Sequence, residues 1–174
     1  FMFGTTDDGE FVGTTNGAGR GDAAEQGERS YLVIDSYYAA EQAPILVITY
    51  FEQLFIEAEA ALDAGDSDRA YDAYLAGIRT HMEKLGVEED DIVAYLANPE
   101  VSTGADNLTI DDIMKEKYIA MYLHPEAWVD ARRYDYQYEG MTLPANHNPA
   151  LGGEFIKRLV YPDTEQTRNS NNLP

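Results

Sequence analysis

Three groups of residues in this sequence have types and spacings that could do chemistry. Trp128 and Arg132 are four apart. On a helix they share a face, so indole and guanidinium can stack. Arg133 follows directly, and a guanidinium grips a carboxylate through two parallel hydrogen bonds. One of these arginines is expected to pair with Glu57 or Glu59 far upstream, which gives Glu57, Glu59, Trp128, Arg132 and Arg133 structural roles. Trp128 sits beside Ala127, Val129 and Ala131 and is expected in the core; the alternative is an indole face offered to a sugar. Tyr134, Tyr136 and Tyr138 then alternate with Asp135, Gln137 and Glu139. An extended segment would put all three rings on one side. Rings that cover the CH face of a sugar, with amides and carboxylates reading its hydroxyls, make these tyrosines candidate ligand-binding residues. The alternative is a segment pinned on the surface by its rings.

The other chemistry-bearing residues fall into no catalytic pattern. Glu57 and Glu59 are two apart on a predicted helix and point in different directions. Asp111 and Asp112 open a predicted helix, where acids complement the dipole. A glycosidase needs two carboxyls facing each other with separated pKa values, and nothing in the sequence sets up such a pair. His81, His124 and His147 have no metal-binding spacing, and the Gly-rich run over 17–21 follows no clear strand and opens no clear helix. Asp7-Asp8-Gly9-Glu10 lacks the oxygen spacing of a calcium loop and reads as a plain Asp-Gly turn. No catalytic residue, metal or cofactor is expected.

Composition narrows the classes further. The net charge is −20, from 32 acids against 12 bases. Such a field repels phosphate backbones and anionic bilayers, which argues against nucleic-acid binding and direct membrane adsorption. The 13 tyrosines against one tryptophan suit half-buried amphipathic surfaces, whether for helix packing or for stacking on sugars. There are no cysteines, hence no disulfide framework. The longest apolar run, 43–51, contains Pro44 and is far too short to span a bilayer.

The elements that must position these residues are mostly helices. Residues 1–43 are rich in Gly, Thr, Asp and Asn and read as a loop-rich lead-in, with strand pieces possible at Phe1, Phe3, Phe11 and Val12. Helical spacing predicts helices over 45–63 and 68–85, separated by Gly65 with Asp66 or Ser67 as the next cap. The second carries a stripe of Tyr71, Tyr74, Leu75, Ile78, Met82 and Leu85. Together they form a hairpin of tetratricopeptide size, which buries both faces only with neighbours. Further helices are predicted over 88–96, 110–123 (capped by Thr109 and Asp112) and 126–134 after Pro125. The late loops hold one strand candidate, 158–161. The expected fold is mainly α, with helical hairpins over 44–134, loops and tail over 135–174, little β, and one domain over 1–174.

The motifs, in order, carry a family resemblance. The Gly-rich loop at 16–20, APILVITYFEQLFIEAEAAL, the Gly65-Asp66 loop, IRTHMEKLGV, IMKEKYIAMY, EAWVDARR and RLVYPDTEQTRN resemble the SusD/RagB-like nutrient-binding outer-membrane lipoproteins, in the branch with EAW-x-D-x-RR. The long linker over 134–157 and the heavy acidic charge depart from the pattern. The resemblance implies an α-helical, tetratricopeptide-like protein on the outer face of the outer membrane. It implies a binding role, not an enzymatic one: capturing an oligosaccharide or other nutrient for a SusC-like TonB-dependent transporter. It also implies that this chain is the C-terminal portion of a longer protein, touching the membrane only through an N-terminal lipid anchor outside this segment. A helical-repeat scaffold for protein partners, and less favourably a carbohydrate-active hydrolase, are the alternatives.

Overall fold

The computed structural model describes residues 2–18 and 27–172. Phe1, suggested above as a strand piece, and residues 19–21 of the Gly-rich run lie outside them. Among the described residues the fold is mainly α, with six α-helices and one two-stranded ladder. The ladder is antiparallel and pairs β1 (Phe3–Gly4) with β2 (Tyr31–Leu32) in the register Phe3–Leu32 and Gly4–Tyr31. Phe11 and Val12 form no strand, although the Val12 carbonyl accepts from Ser30 N–H. Asp8-Gly9 is a turn as expected, with Gly9 N–H on the Thr6 carbonyl at 2.9 Å.

The hairpin is α1 (Tyr50–Asp63) and α2 (Ser67–Lys84). α1 starts five residues later than the spacing predicts, because Thr49 and Glu52 form a reciprocal capping box: Glu52 N–H donates to Thr49 Oγ1 and Thr49 N–H to Glu52 Oε2. Residues 45–48, of which Ile45, Val47 and Ile48 are β-branched, stay outside the helix behind Pro44. The turn between the helices is a Schellman motif. Gly65 N–H reaches the Leu62 carbonyl and Asp66 N–H the Ala61 carbonyl, with Gly65 at φ +78, which glycine adopts without strain. Asp66 then caps α2 through Arg69 N–H.

The buried face of α2 differs from the predicted stripe. Ala70, Ala73, Tyr74, Gly77, Ile78 and His81 are buried, while Tyr71, Leu75 and Met82 pack at its margin. Small residues let the helices approach closely: a Cβ on Gly77 would lie 3.1 Å from Phe55 Cζ. Phe51, Phe55, Ala58 and Ala61 of α1 complete the core with Ile113 and Met121 from further along the chain. α3 (Glu89–Leu96) is tied to α4 (Ile110–Ala120) by Tyr95 OH, which donates to Glu116 at 3.0 Å. Thr109 and Asp112 do form a capping box at the start of α4. That helix ends three residues before the predicted limit, since Leu123 is left-handed at φ +60 ahead of His124-Pro125. α5 (Glu126–Arg133) restarts after Pro125. The strand expected over 158–161 is absent; a short α6 (Asp163–Arg168) follows Pro162 instead, where acids occupy the first turn.

Candidate functional site

α5 separates two concave surfaces of opposite character. One is a cleft of about 750 Å³ between α1, α4 and α5. Its wall is an ionic chain. Lys117 Nζ lies 2.6 Å from Asp130 Oδ2, with both side chains more than nine-tenths buried. The other Asp130 oxygen takes Arg133 Nη2 at 2.8 Å. Arg133 then forks onto both Glu59 oxygens at 2.7 and 2.9 Å. Tyr134 OH donates to Glu59 at 2.7 Å.

The Arg133 hydrogen bonds hold the Glu59 carboxyl below its ordinary range against partial burial, and Tyr134 assists. Arg133 is held further up by Glu59. Burial, then Glu59, pushes the Tyr134 phenol up to about 12, so it stays a donor at neutral pH. Every ionised group of this chain of contacts is engaged. It can fix the ends of three helices, but Glu59 and Asp130 are both committed to Arg133, so neither is free for proton transfer. Of the alternatives open in the sequence, the structure takes Arg133 with Glu59. Glu57 instead meets Arg69 at 2.8 Å across the hairpin turn.

The other surface is a groove of about 610 Å³, walled by Phe3, Tyr118, Tyr122, Leu123, His124 and Trp128 among others. Trp128 departs from the core expectation, being 40 % exposed. Its N–H donates to Tyr136 OH at 3.0 Å, which fixes the ring while leaving part of it open. The Arg132 guanidinium lies 4.9 Å from the ring centroid, the stacking that their spacing suggests. His124 is buried in the groove wall. Its Nδ1 accepts Glu126 N–H, while its Nε2 has no partner among the described residues.

The tyrosine series does not form the extended row expected of it. Asp135 and Tyr136 are left-handed, at φ +48 and +59, and Tyr136 N–H closes on the Ala131 carbonyl at 2.7 Å. Asp tolerates this conformation better than most residues, which begins the turn. The rings therefore diverge. Tyr136 stacks on Phe155 at 4.2 Å and donates to the Ile156 carbonyl, and it is only 9 % exposed. Tyr138 is 4 % exposed, wedged edge-on against Tyr118 and Tyr134, and burial pushes its phenol up to about 12. Tyr134 lines the ionic cleft, and Tyr136 lines the groove.

Sequence reasoning missed the Lys117–Asp130 pair and the groove tyrosines. Signals existed for both: Lys117 falls in the apolar stripe of α4, and Tyr118 and Tyr122 are four apart. Among the described residues no group of His, Asp and Glu is arranged to hold a metal ion, and no helix is long and apolar enough to cross a membrane.

A family model described as starch-binding and associating with the outer membrane matches residues 2–162. No curated protein and no solved structure matches the chain. The matched region holds both concave surfaces and all five main helices. The chain belongs to the SusD-like family, and membership implies cell-surface binding of glycan or another nutrient by a binding protein rather than an enzyme.

Proposed function

We propose that this chain captures an oligosaccharide at the outer face of the outer membrane and passes it to a SusC-like TonB-dependent transporter, tethered through an N-terminal lipid anchor outside this segment. Its ligand surface is the aromatic groove, with Trp128 and Tyr118 as stacking faces. The observation that carries this reading is the half-open indole of Trp128, fixed by Tyr136 in a groove walled by further rings. Rigid, partly exposed aromatics match the apolar face of a pyranose and lose little entropy on binding. Tyr134, a candidate from the sequence, belongs in this proposal to the rim of the ionic cleft, and Tyr136 and Tyr138 act by holding the groove wall in place.

The scaffold reading has one observation in its favour. Ile45, Val47 and Ile48, just ahead of α1, are 75–91 % exposed, an apolar strip suited to a protein partner. The two readings part in a calorimetric titration with malto-oligosaccharides and a wider glycan panel. The binder reading expects saturable heat whose affinity falls in Trp128→Ala by far more than the melting temperature does. A folded protein that takes up no glycan would leave the scaffold reading in front.

A further inference from the structure

The groove sits in an electrostatic setting unlike that of the ionic cleft. The ionic cleft across α5 is walled by Glu52, Glu59, Asp63, Glu126 and Asp130. Among the described residues no Asp or Glu lines the groove, in a sequence with 32 acids. Arg132 is not in that lining but lies over the ring of Trp128, which is. Arg69, Arg79, Lys115, Lys117, Arg133 and Lys157 each close on a carboxylate. Among the described residues, Arg132 closes on none; its contact is the Trp128 ring. Stacking on an indole orients the guanidinium plane and leaves its in-plane donors unspent. Such a fork fits an acceptor with two coplanar oxygens, which a carboxylate supplies and a sugar hydroxyl does not.

The groove thus offers ring faces and, over one of its rings, a cation, with no carboxylate among the described lining residues. We propose that its ligand is an acidic oligosaccharide of the uronic-acid class, with Trp128 and Tyr118 against the ring CH faces and Arg132 on the carboxylate. This rests on the glycan reading above and narrows it, since a neutral starch-like chain offers Arg132 only uncharged hydroxyl acceptors, without the charge-assisted fork. The net charge of −20 opposes an anion at long range, so recognition comes from the local fork.

The test is a calorimetric panel: oligomers of galacturonate, glucuronate and mannuronate, their methyl esters, and neutral malto-oligosaccharides. Each is titrated into the wild-type protein and into Arg132→Gln, Arg132→Lys and Trp128→Ala, with a thermal melt for every variant. An acidic oligomer should bind, lose about tenfold or more in affinity on methyl esterification or in Arg132→Gln, and recover part of it in Arg132→Lys. Trp128→Ala should weaken binding about fivefold or more. Neutral glycans bound equally by wild type and Arg132→Gln would overturn the acidic-ligand inference and leave the glycan reading standing. No binding of either class by folded protein would overturn both.

Discussion

The two faces of α5 use the same eight residues to opposite ends. On the cleft side, Asp130 and Arg133 are consumed by partners inside the protein, down to individual oxygens. On the groove side, Trp128 keeps an open ring and Arg132 keeps an unspent fork. Buried polar groups that are fully paired fix a structure, and their loss is felt as instability. Half-exposed aromatics and unpaired cations contribute little to folding and remain free for a ligand. The adjacent arginines show the contrast most closely, because one residue of helix rotation carries the guanidinium from one face to the other.

The strongest way to break this comparison is Asp130→Ala. It leaves Lys117 buried without a counter-charge and Arg133 with Glu59 alone. The expected cost is about 3–5 kcal/mol, read as a fall in urea midpoint or melting temperature. A loss below about 1 kcal/mol, the range of exposed pairs, would mean that the ionic face is not what holds α5.

Acid tests a buried polar group lying in neither face. His81 packs edge-on against Phe51, and burial, aided by Lys84, pushes its pKa down to about 4. The unfolded imidazole takes its proton near 6.5, so between that pH and about 4 the unfolded state binds a proton that the native state does not. Stability should therefore fall with pH across this window, by on the order of 2–3 kcal/mol from this residue. His81→Leu should flatten that part of the profile. The Arg133 hydrogen bonds hold Glu59 below its ordinary range, so its protonation is delayed and Trp128 fluorescence, on the groove side of α5, should report no separate early transition. A wild-type stability curve that parallels that of His81→Leu would refute this assignment.

Ligand affinity sharpens the groove side. Trp128→Ala should weaken glycan binding by roughly 1–3 kcal/mol, on the scale of aromatic stacking on a planar ligand, with a smaller effect on stability. The finest discrimination comes from charge reversal of the paired arginines. Arg133→Glu should cost about 1–2 kcal/mol of stability, moderated by its partial exposure. Arg132→Glu should stay within about 0.5 kcal/mol, as for an ordinary surface change. Equal melting temperatures for the two variants would erase the distinction between the faces.

Much of the fold was legible in the residues. The periodicity of Phe51, Leu54, Phe55, Ala58 and Ala61, the Gly65-Asp66 turn, the Thr109–Asp112 box and the break at Pro125 all act locally, through backbone geometry and nearest-neighbour hydrogen bonds. The cap at Thr49 was equally local and was passed over because the apolar run begins earlier, at Ile45. The candidate site was less legible. Trp128 looks like core by its apolar neighbours, yet its exposure depends on what packs beyond the helix. The alternation of Tyr134, Tyr136 and Tyr138 suggests a strand, yet two consecutive left-handed residues turn the rings apart.

The sequence by itself determined the order of the main helices, the mainly α class, the acidic field and the family. Those properties live in spacings of a few residues or in composition, where short-range sterics and capping dominate. Only the tertiary structure decided which arginine meets which glutamate, that Lys117 reaches Asp130, and that one side of α5 is satisfied while the other is open. Those outcomes depend on helices distant in the chain coming to within hydrogen-bond reach, where a rotation of one residue, about 100°, exchanges an internal ion pair for a half-exposed ring.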